Sequence, residues 1–290
     1  MNYAQQTPYS DPGKYAGLLD ELPRDIAGLT DVLRNVLIHY RGGGIEFTGE
    51  HLEEVNNRWV EAILGTDQRR NACPLATPRK PEDKVAGCCR DFALLLVAAL
   101  RHQGVPARSR IGFASYFVPG WNHDHVIAEY FDGERWVRVD GQLDPGEHWG
   151  FDVHDMPEGP FRSAAEVWQA FRAGEIDPDL YGVDPSLPIR GGWFIRDYVF
   201  LQVAHLYGDE LLLWDGWGAM ADDLEMDLTP TDELAALLIA SDAGDEAAAT
   251  KLRDWYRSDP DLHPGEKIMV HSPTGGAPYK VDLVSRQKLA

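Results

Sequence analysis

Three short segments constrain this chain more than anything else in its sequence: Ala86-Gly87-Cys88-Cys89-Arg90-Asp91-Phe92-Ala93, His123-Asp124-His125 and Trp136-Val137-Arg138-Val139-Asp140. They supply a thiol, an imidazole and a carboxylate in that order. Cys89 opens a stretch predicted to be helical over residues 89–103, and the middle of that stretch, residues 92–100, is apolar on every side. A helix without a polar face belongs at the centre of a fold. Gly104 and Pro106 stop it. Strand-like runs follow at residues 108–118, 126–131 and 135–139. The last two flank Asp132-Gly133, a strong hairpin signal.

If Asp132 and Gly133 form a two-residue turn, His125 lies directly opposite Asp140, with Cβ atoms about 4.5–5.5 Å apart. A carboxylate there fixes the imidazole tautomer and leaves the other ring nitrogen free to act as a base. A four-residue turn would shift the register by two and keep both residues on one face; a three-residue turn would separate them. The apolar set Val126, Ala128, Tyr130, Val137 and Val139 shares one face, for packing. His125 and Asp140 share the other with Ile127, Glu129, Trp136 and Arg138, a set too polar for pure core. A thiol at a helix N-terminus is acidified by the helix dipole and by a nearby imidazolium. Backbone N–H groups at the same helix end can hold an oxyanion. Arg90 favours the thiolate mildly and Asp91 opposes it. Cys88 and Cys89 point about 100° apart on a helix, and periodicity does not choose between them.

Composition bounds the alternatives. The chain has 290 residues, 44% of them hydrophobic, and nine Trp, enough for a sizeable core. Its net charge is −20, and residues 151–290 hold 26 of the acidic and 11 of the basic side chains, a net −15. Such a field repels phosphate backbones and anionic membranes, so neither nucleic acid nor membrane is an expected partner. No apolar run reaches the length of a membrane span, and the N-terminus does not read as a secretory signal. Three cysteines, two of them adjacent, make no disulfide framework, and a free thiol suits a reducing cytoplasm.

Residues 1–15 read as a loose polar arm. Helices are predicted at 25–40, 50–64, 163–173, 192–207, 231–239 and 246–257, with a short hairpin around Thr274-Gly275-Gly276. Asn56, Asn57 and Trp59 fall in the helix before the cysteines, where they could line an oxyanion site, although core packing explains Trp59 equally well. Cys73 reads as incidental.

The residues resemble a known family. Gly87-Cys88-Cys89-Arg90-Asp91-Phe92-Ala93 is similar to the Gly-x-Cys-x-Asp-Tyr/Phe-Ala signature of transglutaminase-like domains. Gly104-Val105-Pro106-Ala107-Arg108 resembles the Gly-Ile-Pro-Ala-Arg that follows their central helix. His125 with Glu129 resembles their His-x-Trp-x-Glu strand, and Trp136-Val137-Arg138-Val139-Asp140 resembles Gly-Trp-Val-x-Val-Asp. The likeness covers about residues 85–145. Val126-Ile127 departs from the usual aromatic, and Gly141 from the usual Pro. The resemblance implies an α+β, papain-like core: a central helix carrying the nucleophile Cys89 packs on an antiparallel sheet, with His125 as base and Asp140 orienting it. It thereby favours Cys89 over Cys88.

The expected organisation is an N-terminal helical part of the core over 1–84, the catalytic core over 85–150, and a mostly helical acidic extension over 151–290 packed on that core. The expected activity is acyl chemistry on a peptide, amide or thioester carbonyl through a thioacyl-enzyme, released to water or to an amine acceptor. No cofactor and no metal are implied. The acidic run Asp222-Asp223-Leu224-Glu225-Met226-Asp227 lacks EF-hand spacing and its Gly. His123, Asp124 and Trp136 are candidate substrate contacts. Two rival readings are a non-catalytic binding module on this fold and a metal-dependent hydrolase using the Cys and His residues. His123 and His125 do share a strand face, but no Cys-x-x-Cys accompanies them.

Overall fold

The computed structural model describes residues 1–220 and 224–289, so Asp222 and Asp223 of the acidic run lie outside the described residues. The elements of the first half are α1 (Ile26–Val36), β1 (Leu37–His39), α2 (Gly49–Glu53), α3 (Val60–Asn71), β2 (Val85–Gly87), α4 (Cys89–His102), β3 (Ala107–Ala114), β4 (Asn122–Phe131) and β5 (Trp136–Val139). Those of the second half are β6 (Phe161–Ser163), α5 (Ala164–Arg172), β7 (Tyr181–Gly182), α6 (Gly192–Leu206), β8 (Asp215–Gly216), α7 (Thr229–Asp242), α8 (Glu246–Ser258), β9 (Lys267–Val270), β10 (Tyr279–Asp282) and β11 (Gln287–Lys288). The fold is α+β. The main sheet orders its strands β5-β4-β3-β6, with β7 parallel to the first residues of β4. Pairings β4–β5 and β3–β6 are antiparallel. A second, four-stranded sheet runs β11-β10-β9-β8, and its β9–β10 hairpin is the one predicted around Thr274-Gly275-Gly276.

The chain forms two compact units that interleave along the sequence. One comprises Met1–Ser109, Val126–Pro157 and Gly208–Leu212; the other comprises Arg110–His125, Glu158–Tyr207 and Leu213–Ala290.

In the first unit, α4 is buried from Cys89 through Arg101, as its unbroken apolar pattern requires. Its charged ends are buried too. Arg90 and Arg101 stand about three turns apart on one face. The Arg90 guanidinium donates to the carbonyls of Arg58 (2.5 Å) and Glu210. Arg101 donates to the Glu210 carboxylate (2.8 Å), to Ser10 Oγ (2.9 Å) and to the Ala107 carbonyl (3.1 Å). The Thr7 hydroxyl donates to the same carboxylate. Burial pushes the Glu210 carboxyl upward, opposed by the Arg101 charge and the Thr7 hydrogen bond.

This network corrects two sequence expectations. Residues 1–15 are no loose arm: Thr7, Tyr9 and Ser10 are buried, and the Thr7 and Ser10 hydroxyls complete the pairing of Arg101 and Glu210. The predicted helix 50–64 is also broken, into α2, a 3₁₀ turn at Glu54–Asn56, and α3. The Asn57 and Arg58 carbonyls turn to Arg90 instead of continuing a helical ladder.

The predicted helix 25–40 ends early. Residues 37–39 become β1 and pair in parallel with β2, directly before the cysteines. The basic, Pro-rich loop before β2 is clamped by a buried ion pair, Arg79 to Asp67 (2.6 Å), with Arg79 also donating to the Leu75 and Thr77 carbonyls.

The hairpin departs from the expected two-residue turn. Observed partners are Ala128↔Val139, Glu129↔Arg138, Tyr130↔Val137 and Phe131↔Trp136, so residues 132–135 form a four-residue turn. Asp132 Oδ1 accepts from the Glu134 and Arg135 N–H groups (2.8 and 2.9 Å), and Gly133 takes φ 110°. The register moves by two, so His125 is not directly opposite Asp140. A shift of two preserves every face: Val126, Ala128, Val137 and Val139 are buried as expected. On the other face Glu129 is held by Arg108 (2.8 Å) and Arg138 (3.3 Å).

In the second unit, α6 is buried over nearly its whole length. Its Gln202 side chain accepts the Ala165 N–H at the start of α5 (2.8 Å). No helix among the described residues is long and apolar enough to cross a membrane.

Replacing Glu210 with Ala leaves the Arg101 guanidinium buried without its counter-ion. The expected loss is about 3–5 kcal/mol of unfolding free energy, measured by urea denaturation. The joint Arg101→Met/Glu210→Leu change should recover most of it. A Glu210→Ala protein within about 0.5 kcal/mol of the parent would show that the network contributes little.

Candidate active site

The β2–α4 junction presents the thiols. Cys88 is the N-cap of α4, with extended backbone, and Cys89 is the first helical residue. Both are buried. The Asp91 carboxylate turns back to accept the Cys88 N–H (2.8 Å) and the Arg90 guanidinium (2.9 Å). Burial pushes the Asp91 carboxyl upward, against Arg90 and the Cys88 N–H. Gly87 permits this turn: a Cβ there would meet Asp91 Oδ2 at 2.9 Å.

The two thiols differ in character. Cys88 is held well above the ordinary thiol range, first by a side-chain hydrogen bond with Cys89, then by burial and the Asp91 charge. The structure places Cys88 at the N-cap and Cys89 in the first turn of α4.

Asp140 lies in the same unit, one residue beyond β5, and is 1% exposed. Its N–H donates to the Val153 carbonyl (3.0 Å), and its Oδ1 accepts from the Gln142 N–H (3.1 Å). Gly141 follows in a space bounded by Leu96 of α4 and by Thr30 and Leu33 of α1, which a Cβ added there would meet at 3.6–3.7 Å. Thus the loop carrying Asp140 rests on the helix that carries Cys89. Trp136 is engaged in this unit by Tyr3, edge-on at 5.5 Å, and by the Arg108 guanidinium, 4.3 Å from its ring centre.

The histidines and Asp124 lie on the first residues of β4, in the second unit. His125 is 2% exposed. Phe117 and Tyr116 meet its ring edge-to-face, at 5.1 and 5.9 Å between centroids. His123 packs against Phe117 and Trp121 at 5.6 and 6.3 Å. Asp124 accepts a hydrogen bond from the Tyr198 hydroxyl on α6. Nothing in the local sequence announces Tyr198 as its partner, since it comes from a distant aromatic-rich helix.

Asn57 and Trp59 sit at the break before α3 instead of inside a helix; the Asn57 side chain donates to Thr66 (3.3 Å). Two open pockets, about 640 and 560 Å³, lie elsewhere, lined respectively by residues including His51, Glu54 and Arg70, and by residues including Glu166, Arg172 and Asp232. Several charges in each are paired within the wall, Glu54 with Arg70 and Asp232 with Arg172 among them. Among the described residues, no three His, Cys, Asp or Glu side chains gather in a way that could hold a metal ion.

Residues 58–141 match the family model of the transglutaminase-like superfamily. The match runs from just before α3 to the residue after Asp140. A solved protein from Cytophaga hutchinsonii, named only provisionally as a cysteine protease, is similar at 21% identity with a TM-score of 0.33. The likeness covers 48% of this chain and 40% of that one. No curated protein matches the chain.

A thiol held above its usual range stays protonated at neutral pH and alkylates slowly. Brief iodoacetamide treatment of the native protein at pH 7, followed by peptide mapping, should label the partly exposed Cys73 and leave Cys88 unmodified. Labelling of Cys88 as fast as Cys73 would contradict the assignment.

Proposed function

We propose that this protein performs cysteine-dependent acyl chemistry, with Cys89 as nucleophile, His125 as general base and acid, and Asp140 as the group that orients the imidazole. The observation that carries the reading is the position of Cys89. It is the first residue of a helix buried from Cys89 through Arg101, next to a second buried thiol, within a stretch matching the transglutaminase-like superfamily. The dipole of α4 favours a thiolate on Cys89.

Strand alternation supports the other two roles. His125, Ile127 and Glu129 share one face of β4. Glu129 opposes Arg138, two residues before Asp140, which gives Asp140 the same parity. The wider turn therefore leaves the imidazole and the carboxylate on a common face.

In the reaction, the Cys89 thiolate attacks the carbonyl carbon of an amide or thioester, and the carbonyl oxygen becomes an oxyanion. First-turn N–H groups of α4 can stabilise that charge. As the carbon–nitrogen bond of an amide breaks, the His125 imidazolium protonates the departing amine. The thioacyl-enzyme then passes its acyl group to water or to an amine, whose proton returns to His125. A peptide is the natural amide substrate for such a site.

p-Nitrophenyl acetate tests this directly. One acetyl group should appear on Cys89 by intact mass and peptide mapping, far faster than on a free thiol. Cys89→Ser should abolish it, and Asp140→Asn should slow it by about 10²–10⁴-fold while the protein remains folded. Acetylation of Cys89 no faster than that of a small-molecule thiol would overturn the reading.

A further inference from the structure

The loop between β3 and β4 is unusual in this chain. From Ile111 to Asn122 there is no charged residue, although 26% of the chain is charged. The sequence predicts a strand through residue 118, yet β3 ends at Ala114. Pro119 offers no N–H, Gly120 adopts φ 78°, and the Trp121 N–H closes a turn onto the Val118 carbonyl (3.1 Å). The result is an aromatic loop where a polar one would ordinarily sit. Tyr116 and Phe117 are partly exposed and Val118 is 39% exposed. Core packing does not require apolar groups at such positions, and clustered exposed apolar side chains mark binding surfaces.

The place of these rings is specific. Tyr116 and Phe117 both meet the His125 imidazole edge-on, and His125 itself is almost fully covered. In acyl transfer the group that comes nearest the imidazole is the amine, because its nitrogen exchanges a proton with the ring over a hydrogen bond of about 3 Å. The substituent on that nitrogen must then lie within about one ring's width of the imidazole. An aromatic or branched aliphatic substituent gains burial and edge-to-face contact there. A charged one loses its hydration without a partner.

Resting on the assignment of His125 as base, the geometry points to Tyr116 and Phe117 as specificity-determining residues. They form the wall of the amine side of the site and select an amine component bearing an aromatic or bulky aliphatic group. That holds for the amine that leaves an amide and for one that accepts an acyl group.

The acetylated enzyme made with p-nitrophenyl acetate provides the test. Benzylamine and 2-methoxyethylamine, primary amines of similar basicity, are offered as acceptors. The amine nitrogen bonds to the acetyl carbon, the carbon–sulfur bond breaks with its electron pair returning to Cys89, and the amine proton goes to His125. Rates are read as loss of acetyl from the protein and formation of the N-substituted acetamide, relative to a small-molecule thioester.

Benzylamine should be preferred by about tenfold or more. Phe117→Ala should collapse that ratio, and Phe117→Leu should keep much of it. A ratio near one in the parent enzyme overturns the proposal while leaving the nucleophile assignment intact. So does a Phe117→Ala variant that slows both amines equally, since the ring would then only hold the imidazole. Failure of Cys89 to acetylate faster than a free thiol overturns the catalytic reading and this proposal with it.

Discussion

The structure of the first unit depends on how α4 disposes of its charges. A helix buried from Cys89 through Arg101 can be apolar in its middle, but its ends carry Arg90, Asp91 and Arg101, and none of these reaches water. Each must find a partner or impose a large penalty. Glu210 serves both arginines, its carbonyl accepting from Arg90 and its carboxylate from Arg101. Thr7 and Ser10 complete the shell. The same demand breaks the helix before α3, because Arg90 takes the backbone carbonyls there, and it orders the N-terminal residues. Cys89 sits at the head of this helix, so the partners that hold α4 in place also fix the position of the sulfur.

The charge of Asp91 illustrates how local this control is. Read from sequence, Asp91 opposes a thiolate and Arg90 favours it. In the structure the carboxylate is spent on the Cys88 N–H and the Arg90 guanidinium, and Arg90 is spent on carbonyls. The two cysteines differ in backbone position, Cys88 at the N-cap and Cys89 as the first helical residue. Cys88, extended at the N-cap, is held as a thiol by its hydrogen bond with Cys89, by burial and by the Asp91 charge.

The hairpin shows why some inferences survive an error in detail. Asp132-Gly133 suggested a two-residue turn; Asp132 instead captures two backbone N–H groups further on and widens the turn to four. Direct opposition of His125 and Asp140 was lost, yet face assignment was not. One face of these strands is apolar and must be buried, so only an even shift is tolerated. Glu129, unpaired in the sequence, acquires Arg108 and Arg138 on the polar face. The loop before β4 went the other way: its apolar composition reads as strand, and Pro119 and Gly120 end the strand early.

The sequence by itself determined what is local or periodic. It specified the buried helix behind the cysteines, the alternating faces of β4 and β5, the parity of His125 and Asp140, the long buried α6, and the signature segments that resemble transglutaminase-like domains. Only the tertiary structure decided which distant groups meet. Glu210 with Arg101, Tyr198 with Asp124, Tyr3 with Trp136, and the parallel pairing of β1 with β2 join residues far apart in the chain. Periodicity can say that a side chain is buried. It carries no information about the partner, because a hydrogen bond or ion pair is chosen by the path of the whole backbone and not by the spacing of neighbours.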